Sequence, residues 1–126
     1  MDDFYYRKLK VYHMSKQLVA DVYRLMDQFP SNERHALANQ LQRAVISIPS
    51  NIAEGMGRFS VKERVHFIEI AFGSLTEVMC QLEIAEMLHY ITFDQFQLQE
   101  TKIKETARML IGLKTSLEEK INKQQV

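Results

Sequence analysis

The sequence predicts an all-α protein, an antiparallel up-down-up-down four-helix bundle, and three observations predict it. The first is apolar periodicity: hydrophobic residues recur at spacings of three and four over four long stretches, which is the mark of a helix burying one stripe. The second is the scarcity of turn formers. Four Gly and two Pro in 126 residues are too few for a β-protein that must reverse every ten residues or so. The third is size. A chain of 126 residues, 46% hydrophobic and 25% charged, suits one packed domain spanning its whole length.

The first helix is expected from about Leu9 to Phe29. Val11, Met14, Leu18, Val22, Leu25, Met26 and Phe29 form its stripe, and Pro30 ends it by pushing the preceding residue out of the α region. Ser31 or Asn32 then offers a cap for the second helix, with Glu33 in the first turn where the helix dipole favours an anion.

The second helix is expected from about Asn32 to Glu54, on a stripe of Leu37, Leu41, Ala44, Val45, Ile48 and Ile52. Pro49 interrupts that stripe. It removes one backbone donor and crowds the Val45 carbonyl, a cost of about 3 kcal/mol in an ordinary helix interior. Because Ile52 and Ala53 keep the period, the reading is a kinked but continuous helix. Gly55 and Gly57 are expected to end it in the left-handed conformation.

Ser60-Val61-Lys62-Glu63 reads as a capping box, so the third helix should start at Ser60 and run to about His89. Val65, Ile68, Phe72, Leu75, Met79, Leu82 and Leu88 are its expected core face. Thr92-Phe93-Asp94-Gln95 is a second box, opening a fourth helix from about residue 93 to Asn122 with Phe96, Ile103, Ala107, Leu110, Leu117 and Ile121 inside. Residues 123–126 are expected to fray.

Charge is balanced overall but not along the chain. Residues 1–64 hold ten Lys/Arg against seven Asp/Glu, residues 65–101 hold six acids and no base, and residues 102–126 hold six bases against three acids. Two readings follow: an acidic third helix paired with basic neighbours, or separate basic and acidic surfaces suited to head-to-tail self-association or to an anionic partner. No run approaches the roughly 20 apolar residues of a membrane span. The Met1-Asp2-Asp3 start lacks a secretory h-region, and one cysteine, Cys80, fits a reducing compartment; the expectation is a cytoplasmic protein without membrane attachment.

Little in the chain suggests catalysis. Glu86 and His89 have the Glu-x-x-His spacing of bundle metal sites, but a second copy is missing and His66-Phe67-Ile68-Glu69 has the order reversed. The pair reads as a solvated helix end. Cys80, without a basic neighbour one turn away, reads as a packing residue. Gly55-Met56-Gly57 follows a helix rather than a strand, so it reads as a helix-terminating loop and not a phosphate cradle. No nucleophile–base signature occurs, and neither a metal nor a cofactor is expected.

The segment from Gln40 to Gly55 is the unusual one. Its interior Pro49 sits beside Ser47, Ser50 and Asn51, whose side chains can satisfy freed backbone groups. Arg43, Ser47, Ser50 and Glu54 share one helical face. That face is either the polar repair of a kink with an Arg–Glu pair, or a surface for a subunit or a nucleic-acid phosphate.

Phe29-Pro30, Glu33, Leu37, Gln40, Arg43 and Ala44, followed by SIPSNIAEG from Ser47 to Gly55 (Pro49, Ser50, Asn51 and Glu54 within it), resemble the signature of the proteins encoded in intervening sequences of bacterial 23S ribosomal RNA genes, also called the S23 ribosomal protein family. Arg58, Ser60, Glu63 and the run from Phe67 to Glu77 continue the likeness, which is strong over residues 9 to 91. The resemblance implies a four-helix bundle that assembles as a homopentamer, in a family with no established catalytic activity. A related group, the accessory variability proteins of diversity-generating retroelements, is similar in fold, forms a basic-lined pentameric barrel, and binds nucleic acid and a reverse transcriptase. By that analogy Arg43, Arg58, Lys62 and Arg64 are the candidate nucleic-acid contacts, joined by Arg7, Lys8 and Lys10. The neutral net charge departs from that group. Two functions are therefore expected in competition: an oligomeric adaptor that contacts RNA or DNA, and a protein–protein scaffold that does not.

Overall fold

The computed structural model describes residues 3–33 and 35–124, the side chains of 121–124 excepted. Four α-helices make up the fold: α1 Lys10–Met26, α2 Leu37–Met56, α3 Val61–Met87 and α4 Phe93–Gln124. Short 3-10 turns at Tyr5–Lys8 and Ser31–Glu33 precede the first two. Packing joins α1 to α2, α2 to α3, α3 to α4 and α4 back to α1. The bundle is thus a closed ring of four helices.

Neighbours run antiparallel, as residue pairings at both ends demonstrate. On α2 and α3, Gly55 lies against Phe67 while Ser47 meets Ser74. On α1 and α4, Asp21 binds Lys102, and Leu25, with Gln28 just beyond the helix end, shares a groove with Gln95. The Phe29 and Tyr90 rings, 5.4 Å apart, tie the α1–α2 connection to the α3–α4 connection at one end. The α2–α3 turn therefore stands alone at the other end, beside the start of α1 and the finish of α4.

Buried positions follow heptad spacing on every helix. Val11, Ser15, Leu18, Val22 and Leu25 line α1; Leu41, Val45, Ile48 and Ile52 line α2; Ile68, Ala71, Leu75, Val78, Leu82 and Ala85 line α3; Phe96, Gln99, Ile103, Thr106, Leu110 and Leu117 line α4. Alternating steps of three and four are what near-parallel helices need to interlock side chains along their length.

Several expected details come out differently. The third helix turns Ala71, Val78 and Ala85 inward, so Phe72 and Leu88 are exposed rather than core residues, and Val65 and Met79 are only partly buried. Ala71, Val78 and Ala85 are fully buried, so the inward face of α3 is rotated from the expected stripe. Cys80 also points outward, so it does not pack the core. Ile121 and the last residues of the chain fall outside the described side chains, while α4 itself continues to Gln124 rather than ending at Asn122.

Helix boundaries shift for identifiable reasons. The α1 helix stops at Met26, three residues short of Phe29. Ser31 and Asn32 lie in a 3-10 turn and do not cap α2; the Glu33 carboxylate accepts from the Leu37 amide instead, at 3.4 Å. The helix runs unbroken through Pro49 to Met56. Gly55 is inside it and Gly57, the C-cap, has φ −84°, so neither glycine is left-handed. A left-handed residue does end α3: His89 has φ 64°. Its amide donates to Glu86 and the Tyr90 amide to Ala85, both at 2.9 Å, which is the Schellman pattern made with histidine where glycine is usual. Ser60 Oγ accepts from the Glu63 amide at 3.3 Å, the hydroxyl half of its box. Thr92 and Gln95 form both halves of theirs, at 2.9 and 3.1 Å.

Candidate nucleic-acid interface

The α2–α3 turn is built by residues that the sequence motif carries. Gly55 is where the two helices touch: a Cβ there would sit 2.7 Å from the Phe67 Cβ. Only glycine permits that approach. Phe67 in turn carries the Arg58 guanidinium over its ring, 4.7 Å from the centroid. The same guanidinium donates to the Glu54 carboxylate at 2.8 Å, and Arg64 Nε donates to the Arg58 carbonyl at 2.6 Å. Each of these groups fixes the next, so the connection is held by stacking, an ion pair and a backbone clamp.

Arg58, Lys62 and Arg64 thus come together at one end of the bundle. Arg43 does not join them. It is exposed on α2, 13 residues before the helix ends at Met56, which is about 20 Å along the axis. The shared polar face of α2 is also divided. Ser47 and Asn51 turn toward α3, where Ser47 Oγ and Ser74 Oγ are 2.8 Å apart and the Asn51 amide nitrogen is 2.8 Å from both the Ser47 carbonyl and hydroxyl. Those bonds serve Ser47 and not the Val45 carbonyl, whose ordinary helical donor Pro49 lacks. Ser50 and Pro49 border a groove on the opposite side, with Tyr12, Lys16, Val19 and Ile46. Glu54 pairs with Arg58 and not with Arg43.

Charge has an arrangement that only the topology reveals. The half of the bundle with the α2–α3 turn (residues 3–17, 47–72 and 108–120) carries ten Lys/Arg against six Asp/Glu. The described residues of the other half (18–33, 35–46 and 73–107) carry four against nine. Arg7, Lys8 and Lys10 stand at the same end as Arg58, Lys62 and Arg64, and Lys114 and Lys120 approach it on α4. The expected pairing of an acidic third helix with basic neighbours is largely absent. Among the described residues, Glu69 with Lys114 at 3.7 Å is the one cross-helix ion pair of the acidic block. Opposite charges have separated along the bundle axis instead of neutralising each other across it.

One polar constellation escaped sequence reasoning. Asp21, with its side chain 8% accessible, receives Lys102 Nζ at 2.7 Å and Arg24 at 2.6 Å. Burial pushes its carboxyl up, but the hydrogen bond and charge of Lys102, with hydrogen bonds from Gln99 and Arg24, hold it below the ordinary carboxylate value. No signal in the linear sequence pairs residues 81 positions apart. No group of three or more metal-ligating side chains converges among the described residues, Glu86 and His89 included.

The sequence profile described as 23S rRNA-intervening sequence protein matches residues 7–112. The chain belongs to that family. Among solved structures, a protein of unknown function from the S23 ribosomal protein family of Bacteroides thetaiotaomicron is similar, with a TM-score of 0.75 at 22% identity. The match covers 82% of this chain and 96% of that one, and at this identity it speaks for the fold. Comparison with curated proteins finds no match. Within this chain, the family match takes in all of α1, α2 and α3 and the first part of α4, so it includes both the α2–α3 turn and the Asp21–Lys102 pair. No helix among the described residues is long and apolar enough to cross a membrane.

Proposed function

We propose that this member of the family is a non-enzymatic homo-oligomer that contacts RNA or DNA through its basic end. The observation that supports the reading is the axial separation of charge. A chain of zero net charge has no general attraction for polyanions, but a molecule with one basic end does, and that end is steered toward phosphate. Arg58, Lys62 and Arg64, with Arg7, Lys8 and Lys10 beside them, are the phosphate-facing set. Arg43, half a bundle away, serves contacts between copies or a longer nucleic-acid path. Homopentamers are the assembly that the family resemblance favours, and a ring would gather several basic ends on one face.

A protein–protein scaffold is the second reading, and the acidic end favours it. Met87, Leu88, Phe93 and Leu98 are all exposed there, among the carboxylates of Glu83, Glu86 and Asp94. Apolar surface ringed by one sign of charge suits a basic protein segment.

Solution mass by light scattering, with and without a mixed RNA pool at low salt, separates the readings. The expected result is a ring-sized particle that gains RNA, with affinity falling steeply as salt rises because each phosphate contact releases a counterion. Lys62→Glu should weaken binding to every sequence and flatten the salt dependence by about one contact. A particle that ignores RNA even at low ionic strength refutes the nucleic-acid reading and leaves the scaffold, and a monomer at micromolar concentration refutes the oligomer.

A further inference from the structure

Phe59 stands fully exposed at the tip of the α2–α3 turn, more so than any other large apolar residue described. Burying such a side chain ordinarily stabilises a fold, and here the fold takes none of that stabilisation. Nor does the position result from a loose loop. On one side, the Gly57 amide donates to Ala53 and Glu54 at 3.2 and 3.1 Å, and the Arg58 amide donates to Gly55 at 3.0 Å. On the other, Ser60 caps α3 and Arg64 clamps the Arg58 carbonyl. The backbone on either side of Phe59 is therefore held, and the ring projects from a fixed base.

Its neighbours are mostly cations. Arg58 precedes it, and Lys62 and Arg64 follow within the first turn of α3, with Glu54 already matched by Arg58 and Glu63 as the remaining acid. Arg58 keeps 40% of its side chain accessible although one face rests on Phe67. An aromatic ring on a rigid turn between phosphate-binding cations has the components of a stacking platform for single-stranded nucleic acid, where unpaired bases offer their faces. A duplex keeps those faces inside its stack, so the ring adds nothing to duplex binding.

We propose that Phe59 stacks on an unpaired base while Arg58, Lys62 and Arg64 hold the flanking phosphates, so that the basic end selects single-stranded over double-stranded nucleic acid. The inference rests on the nucleic-acid reading above and adds to it a strand preference and a residue.

Fluorescence anisotropy of the full chain at low salt tests it, with a labelled oligouridylate and an RNA duplex of equal length as probes. Phe59→Ala should weaken oligouridylate binding by about 5- to 100-fold and leave the duplex unaffected, while Phe59→Trp retains the single-strand affinity. Because the side chain is exposed, the variant's thermal melt should match the parent's. Equal binding of both probes by parent and Phe59→Ala overturns the stacking role and leaves the nucleic-acid reading intact. A fall in the particle mass of Phe59→Ala assigns the ring to contacts between copies and also overturns it. Failure of the parent to bind either probe defeats both the inference and the reading beneath it.

Discussion

Gly55 illustrates how one residue sets the distance between two helices. Its missing Cβ is where Phe67 sits, and the contact is with the Phe67 Cβ, which cannot swing aside as the tip of a long side chain would. Gly55→Ala gains about 1 kcal/mol of helix propensity but forces the backbones apart, so a net loss of about 1–2 kcal/mol is expected in urea denaturation. A stability unchanged or raised would mean that α2 and α3 separate freely. The same separation would pull Phe67 from beneath Arg58. The glycine was legible in the sequence, but its purpose was not: a left-handed helix end and a close helical approach both call for glycine, and chain position alone does not distinguish them. His89 is the converse case, a left-handed residue of a type that visits that region more than most non-glycine residues but is far commoner outside it.

Element by element, the four helices were legible because burying one face demands a repeating apolar pattern. The rotation of α3 was less so. Its sequence is apolar over much of its circumference, and a stripe through Phe72 and Leu88 satisfies the period as well as one through Ala71, Val78 and Ala85. Packing chose the second, and Ala71, Val78 and Ala85 are fully buried. Two core positions hold glutamine rather than an apolar residue, and the side-chain oxygens of Gln81 and Gln99 are buried without a protein donor. Polar residues at such layers specify register at some cost in stability. Gln81→Leu should therefore raise stability by about 1 kcal/mol by removing an unsatisfied oxygen. Gln81 makes its one described bond, at 3.3 Å, to Glu77 on its own helix, so little else is lost. A marked destabilisation on thermal unfolding would contradict this account.

At the scale of the molecule, the Asp21–Lys102 pair closes the ring by joining the first helix to the last. Its consequence is a pH dependence of known sign. Asp21 binds its proton less readily in the folded chain than in the unfolded one. The stabilisation is therefore complete above the unfolded value and is lost as pH falls through the folded one. Acid unfolding followed by circular dichroism should show this loss below the ordinary carboxylate range. Lys102→Met should flatten it and cost about 1 kcal/mol near neutrality, a modest figure because Lys102 is itself 41% accessible. An acid limb identical in the two proteins would remove Asp21 as its source. The axial separation of charge acts at this scale too, and the nucleic-acid and light-scattering experiments above measure it.

By itself the sequence determined the all-α class, the number of helices, their approximate limits and the α2–α3 motif, because each is a local or periodic property: a stripe every three or four residues, a hydroxyl before a carboxylate, a proline after a phenylalanine. Tertiary structure alone decided which residues share an end. Antiparallel packing brings the start of α1, the α2–α3 turn and the finish of α4 together, and so it gathers cations from three separate stretches while leaving Arg43 apart. It also decided that Phe59 stands outside and that Asp21 meets Lys102. Those outcomes depend on how helices stack in space, and distance along the chain carries no record of it.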